Sequence, residues 1–271
     1  MEKMLDKQVA IVAGGTSGMG EAVARLYARE GADVIIGSRN TKKGTKLAEE
    51  INAEGGSARY YGPMDITKEE DIDGIVNRTL DEFGKIDILA VFSGKTFDAA
   101  GLSPEECHRK TMEVNMDGTY NLVFKVVPHM KERKSGKIII CSSNGAFNPT
   151  TPAYSYHMAK AACESLTVNL AMECAPLGIR VNCIKPGPIV TPFWDELDAD
   201  GTKREALFEG ISRTEVPLGR MGTPEDVAGP ALFFASDLSS YITGLCLYVA
   251  GGMGYVYAHG QSYILKNLPI D

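Results

Sequence analysis

The sequence lacks the patterns of metal-binding and disulfide-stabilised proteins. None of its six cysteines forms a Cys-x-x-Cys pair, and three of them fall in apolar runs where free thiols pack as small hydrophobic groups. The four histidines are scattered without ligand spacing: His108, His129, His157 and His259. We therefore expect no metal site and a reducing compartment, the cytoplasm.

Basic charge and long apolar runs are also scarce. The chain has 28 basic and 35 acidic residues, a net charge of −7, which disfavours nucleic-acid and anionic membrane partners. Residues 1–7 contain no apolar stretch of the kind found in a signal peptide. Residues 238–265 carry no charged residue, but their five glycines and interleaved polar residues are unlike a membrane-spanning helix.

The pattern of apolar residues alternates between short continuous runs and longer amphipathic segments. The short runs predict strands buried on both faces at 9–13, 34–36, 86–92, 137–141, 178–184 and 245–249. Helical segments fit at about 19–30, 41–54, 67–83, 103–131, 154–176 and 223–235. This order predicts an α/β fold, a single-domain doubly wound parallel sheet of Rossmann-like type with helices on both faces.

A glycine-rich turn directly follows the first predicted strand. Its spacing is Gly-x-x-x-Gly-x-Gly, which is neither the Gly-x-Gly-x-x-Gly fingerprint nor a P-loop. The free N–H groups of the following helix still favour an anion there, although an ordinary strand-to-helix turn is the alternative. The candidate cofactor-binding residues in this turn are Gly14, Thr16, Ser17, Gly18, Met19 and Gly20.

The end of the second predicted strand bears on the choice of nucleotide. It has Ser38 and Arg39 where an acidic residue would hold the ribose 2′-hydroxyl of NAD(H). An arginine there clamps a 2′-phosphate by charge and stacking, so NADP(H) is favoured. The alternative is a solvated loop arginine.

A candidate catalytic set lies in the second half of the chain. Ser143 follows a strand, and Tyr156 and Lys160 are four residues apart, so they share one helix face. A neighbouring cation lowers the pKa of a tyrosine by favouring phenolate. Tyr-x-x-x-Lys alone is common on helix surfaces, and the glycine turn, Ser143 and Asn115 make the combination specific.

With these motifs the sequence resembles the short-chain dehydrogenase/reductase family over about residues 7–254. Asn115, Ser143, Tyr156 and Lys160 match the catalytic tetrad, and Gly14, Gly18 and Gly20 match the glycine motif. The resemblance implies further cofactor contacts at Asp65, Ile66, Gly94, Pro186, Gly187, Ile189 and Thr191, besides Tyr156 and Lys160. The chain departs from the family pattern in three places. Ala13 replaces a threonine, and Ala250 replaces an acidic or amide residue. Val91-Phe92-Ser93-Gly94 stands where Asn-Asn-Ala-Gly is usual, so Gly94 is kept while both amides are missing.

The resemblance implies hydride transfer between nicotinamide and a carbonyl carbon. Tyr156 would protonate the carbonyl oxygen, Ser143 would hydrogen-bond it, and Lys160 would lower the pKa of the tyrosine and hold the ribose. Asn115 would order a water molecule that passes the proton to solvent. The rival interpretation is a non-catalytic NADPH-binding sensor on the same fold.

The substrate is expected to contact a variable lid at about 190–222. Phe193 and Trp194 in this lid, together with Phe147, suggest a bulky apolar alcohol or ketone such as a hydroxysteroid or bile acid. A β-ketoacyl-thioester reductase is the alternative, and Trp194 could also simply pack the lid.

Two further expectations concern assembly and the end of the chain. The segments 103–131 and 154–176 carry more apolar residues than packing on a sheet requires, and the resemblance implies a homotetramer (or homodimer) formed through them. The extension 255–271 is rich in tyrosine, leucine and isoleucine, so we expect it to pack near the substrate cleft or to cap the last strand.

Overall fold

Seven parallel strands form the centre of the molecule in the computed structural model, which describes residues 3–97, 101–149, 153–196 and 204–254. They are β1 (Val9–Ala13), β2 (Asp33–Gly37), β3 (Ser57–Tyr60), β4 (Ile88–Val91), β5 (Gly136–Cys141), β6 (Ile179–Pro186) and β7 (Cys246–Val249). Their spatial order is β3-β2-β1-β4-β5-β6-β7. This doubly wound sheet confirms the predicted fold class.

Helices cover both faces of the sheet. They are α1 (Gly18–Arg29), α2 (Thr41–Ala53), α3 (Glu69–Phe83), α4 (Pro104–Met112), α5 (Gly118–Arg133), α6 (Tyr154–Cys174), α7 (Arg204–Thr214) and α8 (Pro224–Ala235). One face buries apolar side chains of α1, α2 and α8, and the opposite face buries those of α3, α5 and α6. Because all seven strands are parallel, the residues just beyond their carboxyl ends meet at one edge of the sheet, where this class of sheet binds ligands.

The structure differs from the sequence prediction in three elements. Strand β3 was not predicted because it is a half-exposed edge strand without a continuous apolar run. Helix α7 was not predicted because it has no buried residue to produce a periodic apolar pattern. The single helix predicted at 103–131 is two helices, α4 and α5, joined by a π-helical turn at Glu113–Asp117.

Thr67 and Thr223 each precede a helix with the sequence signal of an N-cap, but only Thr223 caps its helix. Thr223 caps α8 in a reciprocal capping box with Asp226, as the sequence indicates. Thr67 does not cap α3, because the N-cap residue is Lys68 and the Thr67 hydroxyl instead donates a hydrogen bond to Asp65. The polar contact is thus made with the preceding loop.

None of the helices that the structure describes has the length and apolar character needed to cross a membrane.

Candidate active site

A cleft of about 1370 Å³ runs along the carboxyl edge of the sheet. Its floor contains the glycine turn between β1 and α1. Gly20 packs so closely that a Cβ atom there would lie 2.2 Å from the carbonyl oxygen of Gly14. Ser17 is the N-cap of α1 and makes no side-chain capping bond, so the first N–H groups of the helix remain for an anion.

One end of the cleft carries groups suited to a phosphate. Ser38, Arg39 and Lys43 line it, and the buried hydroxyl of Ser38 has no hydrogen-bond partner. Arg39 is exposed and forms no ion pair with the residues that the structure describes. A hydroxyl and two cations with uncommitted capacity fit the 2′-phosphate of NADP(H).

The remaining cofactor candidates follow the same cleft. The lining includes Gly14, Thr16, Ser17, Gly18, Met19, Gly20, Asp65, Ile66, Gly94, Pro186, Gly187, Ile189 and Thr191. A Cβ atom on Gly18 would lie 2.9 Å from Cγ2 of Thr191, so the glycine turn and the segment after β6 face each other closely. Residues far apart in the sequence are thereby brought to one elongated groove.

Ser143 stands just beyond β5 with one side of its hydroxyl already used. Its oxygen accepts a hydrogen bond from the N–H of Gly145 at 3.1 Å. Because that bond uses a lone pair, the hydroxyl proton is still available for donation. The nearby Ser143 side chain also slightly lowers the pKa of the Tyr156 phenol.

Tyr156 and Lys160 lie on one face of α6 at the cleft. The ammonium nitrogen of Lys160 is 5.7 Å from the centre of the Tyr156 ring and donates a hydrogen bond to the carbonyl oxygen of Cys141 at 3.0 Å. Burial raises the pKa of the Tyr156 phenol, and the Lys160 charge only partly offsets this. Burial opposes the charge on Lys160, but the interactions with Tyr156 and nearby thiols outweigh it and raise the pKa of the lysine. The site thus holds a protonated phenol beside a charged ammonium.

Gly94 allows the catalytic candidates to approach one another. A Cβ atom on Gly94 would lie 3.0 Å from both Oδ1 of Asn115 and Nζ of Lys160. The backbone of Gly94 is not in the left-handed region, so close packing, and not backbone conformation, is what requires glycine here.

Asn115 lies in the π-helical turn and does not line the cleft. Its side-chain amide donates to the carbonyl oxygens of Lys95 at 2.6 Å and Thr111 at 2.8 Å. Its side-chain oxygen accepts a bond from the N–H of Lys95 at 3.2 Å. Asn115 therefore fixes the loop that follows Gly94.

Aromatic side chains form one wall of the cleft beside Tyr156. The ring of Phe193 is 5.9 Å from that of Tyr156, and Trp194 packs edge-on against Phe193 at 6.2 Å. The indole N–H of Trp194 donates to the carbonyl oxygen of Ile189 at 2.7 Å, which holds the indole ring against the segment after β6. Phe147 is 65% exposed and is not among the residues that line the cleft, and its contact with substrate stays a prediction.

Sequence reasoning missed several residues of the cleft. They include Lys43, Asn148, His157, Ile211, Glu215 and Met253. Position after a strand end could have pointed to Asn148, and adjacency to Tyr156 could have pointed to His157. Ile211 lies in α7 and Glu215 directly follows it, and the sequence pattern does not reveal this helix. In the described part of the chain, no three His, Cys, Asp or Glu side chains gather as a metal-binding group would.

Comparison with known proteins assigns the family. A family model described as enoyl-(acyl carrier protein) reductase matches residues 13–254. L-fucose dehydrogenase of Mus musculus is 36% identical over 255 residues, covering 92% of this chain and 89% of the relative. The chain belongs to the short-chain dehydrogenase/reductase family.

Other short-chain dehydrogenases/reductases resemble the chain over nearly its whole length. A 3-oxoacyl-(acyl-carrier-protein) reductase of Chlamydia muridarum is 36% identical and covers 93% of this chain and 100% of its own length. The crystal structure of L-sorbose reductase from Gluconobacter frateurii, complexed with NADPH and L-sorbose, has a TM-score of 0.85 and 28% identity. It covers 94% of this chain and 100% of that chain. The chain is therefore an oxidoreductase of this family.

Proposed function

We propose that the protein is an NADP(H)-dependent oxidoreductase that transfers a hydride between nicotinamide and a secondary alcohol or ketone. The observation that carries this proposal is the meeting of Ser143, Tyr156 and Lys160 at the cleft. A hydroxyl proton, a protonated phenol and an ammonium are the groups needed to stabilise and protonate a developing alkoxide.

Each side chain has one task in the reductive direction. A bound nicotinamide would supply the hydride, and Tyr156 would donate its proton to the substrate oxygen. Ser143 donates a hydrogen bond to that oxygen with the proton that its bond from Gly145 leaves available. Lys160 stabilises the phenolate that remains and would hold the nicotinamide ribose. Asn115 anchors the loop beside Lys160.

The preference for NADP(H) rests on the groups at the adenosine end. The unpartnered hydroxyl of Ser38, the Arg39 guanidinium and the Lys43 ammonium surround the expected position of the 2′-phosphate. The similar L-sorbose reductase was crystallised as a complex with NADPH, which supports the same choice here. Asp65 and Ile66 would contact the adenine.

For the substrate we propose a bulky molecule that places an apolar face on Phe193 and Trp194, such as a hydroxysteroid or bile acid. The polar groups of Asn148, His157 and Glu215 in the same cleft equally suit a hydroxylated substrate, in line with the relatives named for L-fucose and L-sorbose. A β-ketoacyl thioester is the second candidate, because a 3-oxoacyl reductase is among the similar proteins.

A substrate screen and one variant test the proposal. NADPH oxidation is followed with hydroxysteroid ketones, ketoses and β-ketoacyl thioesters, and we expect turnover with at least one class. Tyr156→Phe removes the proton donor but little volume, so turnover should fall by ~10²-fold to ~10⁴-fold while NADPH still binds. Near-parental turnover in this variant would refute the tyrosine assignment. NADPH binding without turnover on any ketone would favour the sensor.

We also propose a single catalytic domain with a lid at about 190–222, assembled as a homotetramer (or homodimer). Exposed apolar side chains on α5 and α6 support the assembly: Tyr120, Phe124, Val168 and Met172. None of the six cysteines, all of which lie in described residues, forms a disulfide bond, which supports a reducing compartment such as the cytoplasm. Part of the lid, 197–203, and the extension 255–271 lie outside the described residues, so the expectations for them stay predictions.

A further inference from the structure

A buried ion pair lies directly behind the catalytic residues. Glu164 follows Tyr156 and Lys160 on the same face of α6, at successive steps of four residues. Its carboxylate accepts a hydrogen bond from the ammonium of Lys185, on β6, at 2.8 Å. Glu164 is 7% exposed and Lys185 4% exposed, so both charges are withdrawn from solvent.

Through Glu164, the ion pair also contacts Ser142, the residue next to the catalytic serine. The hydroxyl of Ser142 lies 2.9 Å from the second carboxylate oxygen of Glu164 and 2.9 Å from the carbonyl oxygen of Lys160. Ser142 also donates its backbone N–H to Ile184 at 2.8 Å. Because Ser142 directly precedes Ser143, these contacts fix the backbone that carries the catalytic hydroxyl.

Lys185 connects the same pair to the substrate side of the cleft. Its register partner on β7 is Tyr248, and its ammonium lies 4.1 Å from the centre of that ring. The Phe147 ring lies 4.9 Å from the same ammonium. Tyr248 in turn accepts a hydrogen bond at 2.8 Å from the side-chain amide of Asn148, which lines the cleft.

Stability alone does not account for these two charges. Replacing a buried ion pair by apolar residues of similar volume is often neutral or stabilising, whereas removing one partner leaves a costly unpaired charge. The pair instead joins the end of β5, the catalytic helix and the loop that follows the catalytic serine.

We propose that Glu164 and Lys185 are positioning residues, with Glu164 holding Ser143 in place through Ser142 and Lys185 holding the Phe147–Asn148 loop through Tyr248. This inference rests on the proposed oxidoreductase function. We call these four residues the positioning network: Glu164 and Ser142 form the serine half, and Lys185 and Tyr248 form the loop half. The serine half should affect kcat, because it supports the group that contacts the reacting oxygen. The loop half should affect the KM of the substrate, because it supports the loop beside the bound substrate.

The first measurement separates positioning from stability. Glu164→Gln and Lys185→Met each leave one charge unpaired, and the double variant Glu164→Leu/Lys185→Met removes both. We expect the double variant to regain the melting temperature that the single variants lose, while its kcat stays between ~10-fold and ~100-fold below that of the parent. A double variant with parental kcat would show that the pair is structural only.

The second measurement separates the two halves. Ser142→Ala should lower kcat with little change in the KM of the substrate, whereas Tyr248→Phe should raise that KM and spare kcat. Lys185→Arg keeps the charge and should retain most of the activity that Lys185→Met loses. If Ser142→Ala and Tyr248→Phe changed kcat and KM in the same proportions, the division of the network would be wrong.

Two controls complete the design. Asp87→Asn breaks a partly buried ion pair with Arg133 (2.6 Å), which lies at the opposite end of the strands, and should lower stability without changing kcat. The second control needs no substrate. The titration of the Tyr156 phenol is measured by ultraviolet absorbance in the parent and in Glu164→Gln, in each case as the difference from the same protein carrying Tyr156→Phe. Glu164→Gln should shift the titration of Tyr156, and an unchanged titration would overturn the proposal even if no ketone were turned over. If the parent turned over no ketone but Glu164→Gln still shifted the titration of Tyr156, only the oxidoreductase function would be refuted.

Discussion

Gly94→Ala is the smallest change that should disturb the catalytic centre. The added methyl carbon would lie 3.0 Å from Nζ of Lys160 and 3.0 Å from Oδ1 of Asn115. Ordinary contacts of this kind are about 3.5–4.0 Å, so each neighbour must move by roughly 0.5 Å. Both neighbours are already hydrogen-bonded, Lys160 to Cys141 and Asn115 to Lys95, so neither can move freely.

The expected cost of Gly94→Ala has two parts. Overpacking of a well-packed site costs about 1–3 kcal/mol, which would lower the melting temperature by about 2–10 °C in a chain of this size. Displacement of Lys160 from Tyr156 should lower kcat by ~10-fold to ~100-fold. The assays are thermal unfolding, NADPH binding and steady-state turnover of the preferred ketone.

Gly74→Ala is the matched control for this substitution. Gly74 is exposed in α3, and a Cβ atom there would meet no other atom within 4 Å. The same change should therefore raise stability by about 0.5–1 kcal/mol, since alanine is the better helix former, and leave turnover unchanged. A Gly94→Ala protein with parental kcat and melting temperature would refute the role assigned to this close contact.

Three further predictions concern the cofactor, pH and assembly. Ser38→Asp with Arg39→Leu should shift the ratio of kcat/KM values toward NADH, since it repels the 2′-phosphate and removes its counter-charge; an unchanged ratio would contradict this. Because burial raises the pKa of Tyr156, the rate of ketone reduction should stay constant through neutral pH and fall only above about pH 10. The rate of alcohol oxidation should rise over that same range. A rate of ketone reduction that falls near neutral pH would exclude the protonated phenol as the proton donor. Light scattering at micromolar concentration should give a multiple of the 29.2 kDa chain mass, and the mass of a single chain would exclude the assembly.

The fold could be predicted where burial imposes a simple pattern on the sequence. Strands such as β1 and β4 are buried on both faces, so every residue in them is apolar. Strand β3 and helix α7 escaped detection for the opposite reason, because neither buries enough side chains to impose a period on the sequence. The break between α4 and α5 was invisible because a π-helical turn keeps the chain helical and changes only the hydrogen-bond step.

The identity of the candidate site residues followed from motifs, but their contacts did not. Tyr156 and Lys160 are neighbours on a helix, so their proximity could be derived from spacing alone. Glu164 and Lys185 lie 21 residues apart on different elements, and no local pattern pairs them. Only the packing of α6 on β6 shows that the buried carboxylate and the buried ammonium satisfy each other.

Asn115 illustrates how a matched residue acquires its role from its surroundings. The motif alone suggests an amide that orders water, yet all three side-chain bonds in the structure go to backbone groups of Lys95 and Thr111. Those bonds hold the chain just after Gly94, close to the two positions, Val91 and Phe92, where the usual family amides are missing. Because Gly94 lies against Lys160, the side-chain amide of Asn115 affects the candidate active site indirectly, by fixing the conformation of this loop. The loop is therefore fixed from α4 and the π-helical turn, and Gly94 at its start packs closely against Lys160, whose ammonium also donates a hydrogen bond to Cys141.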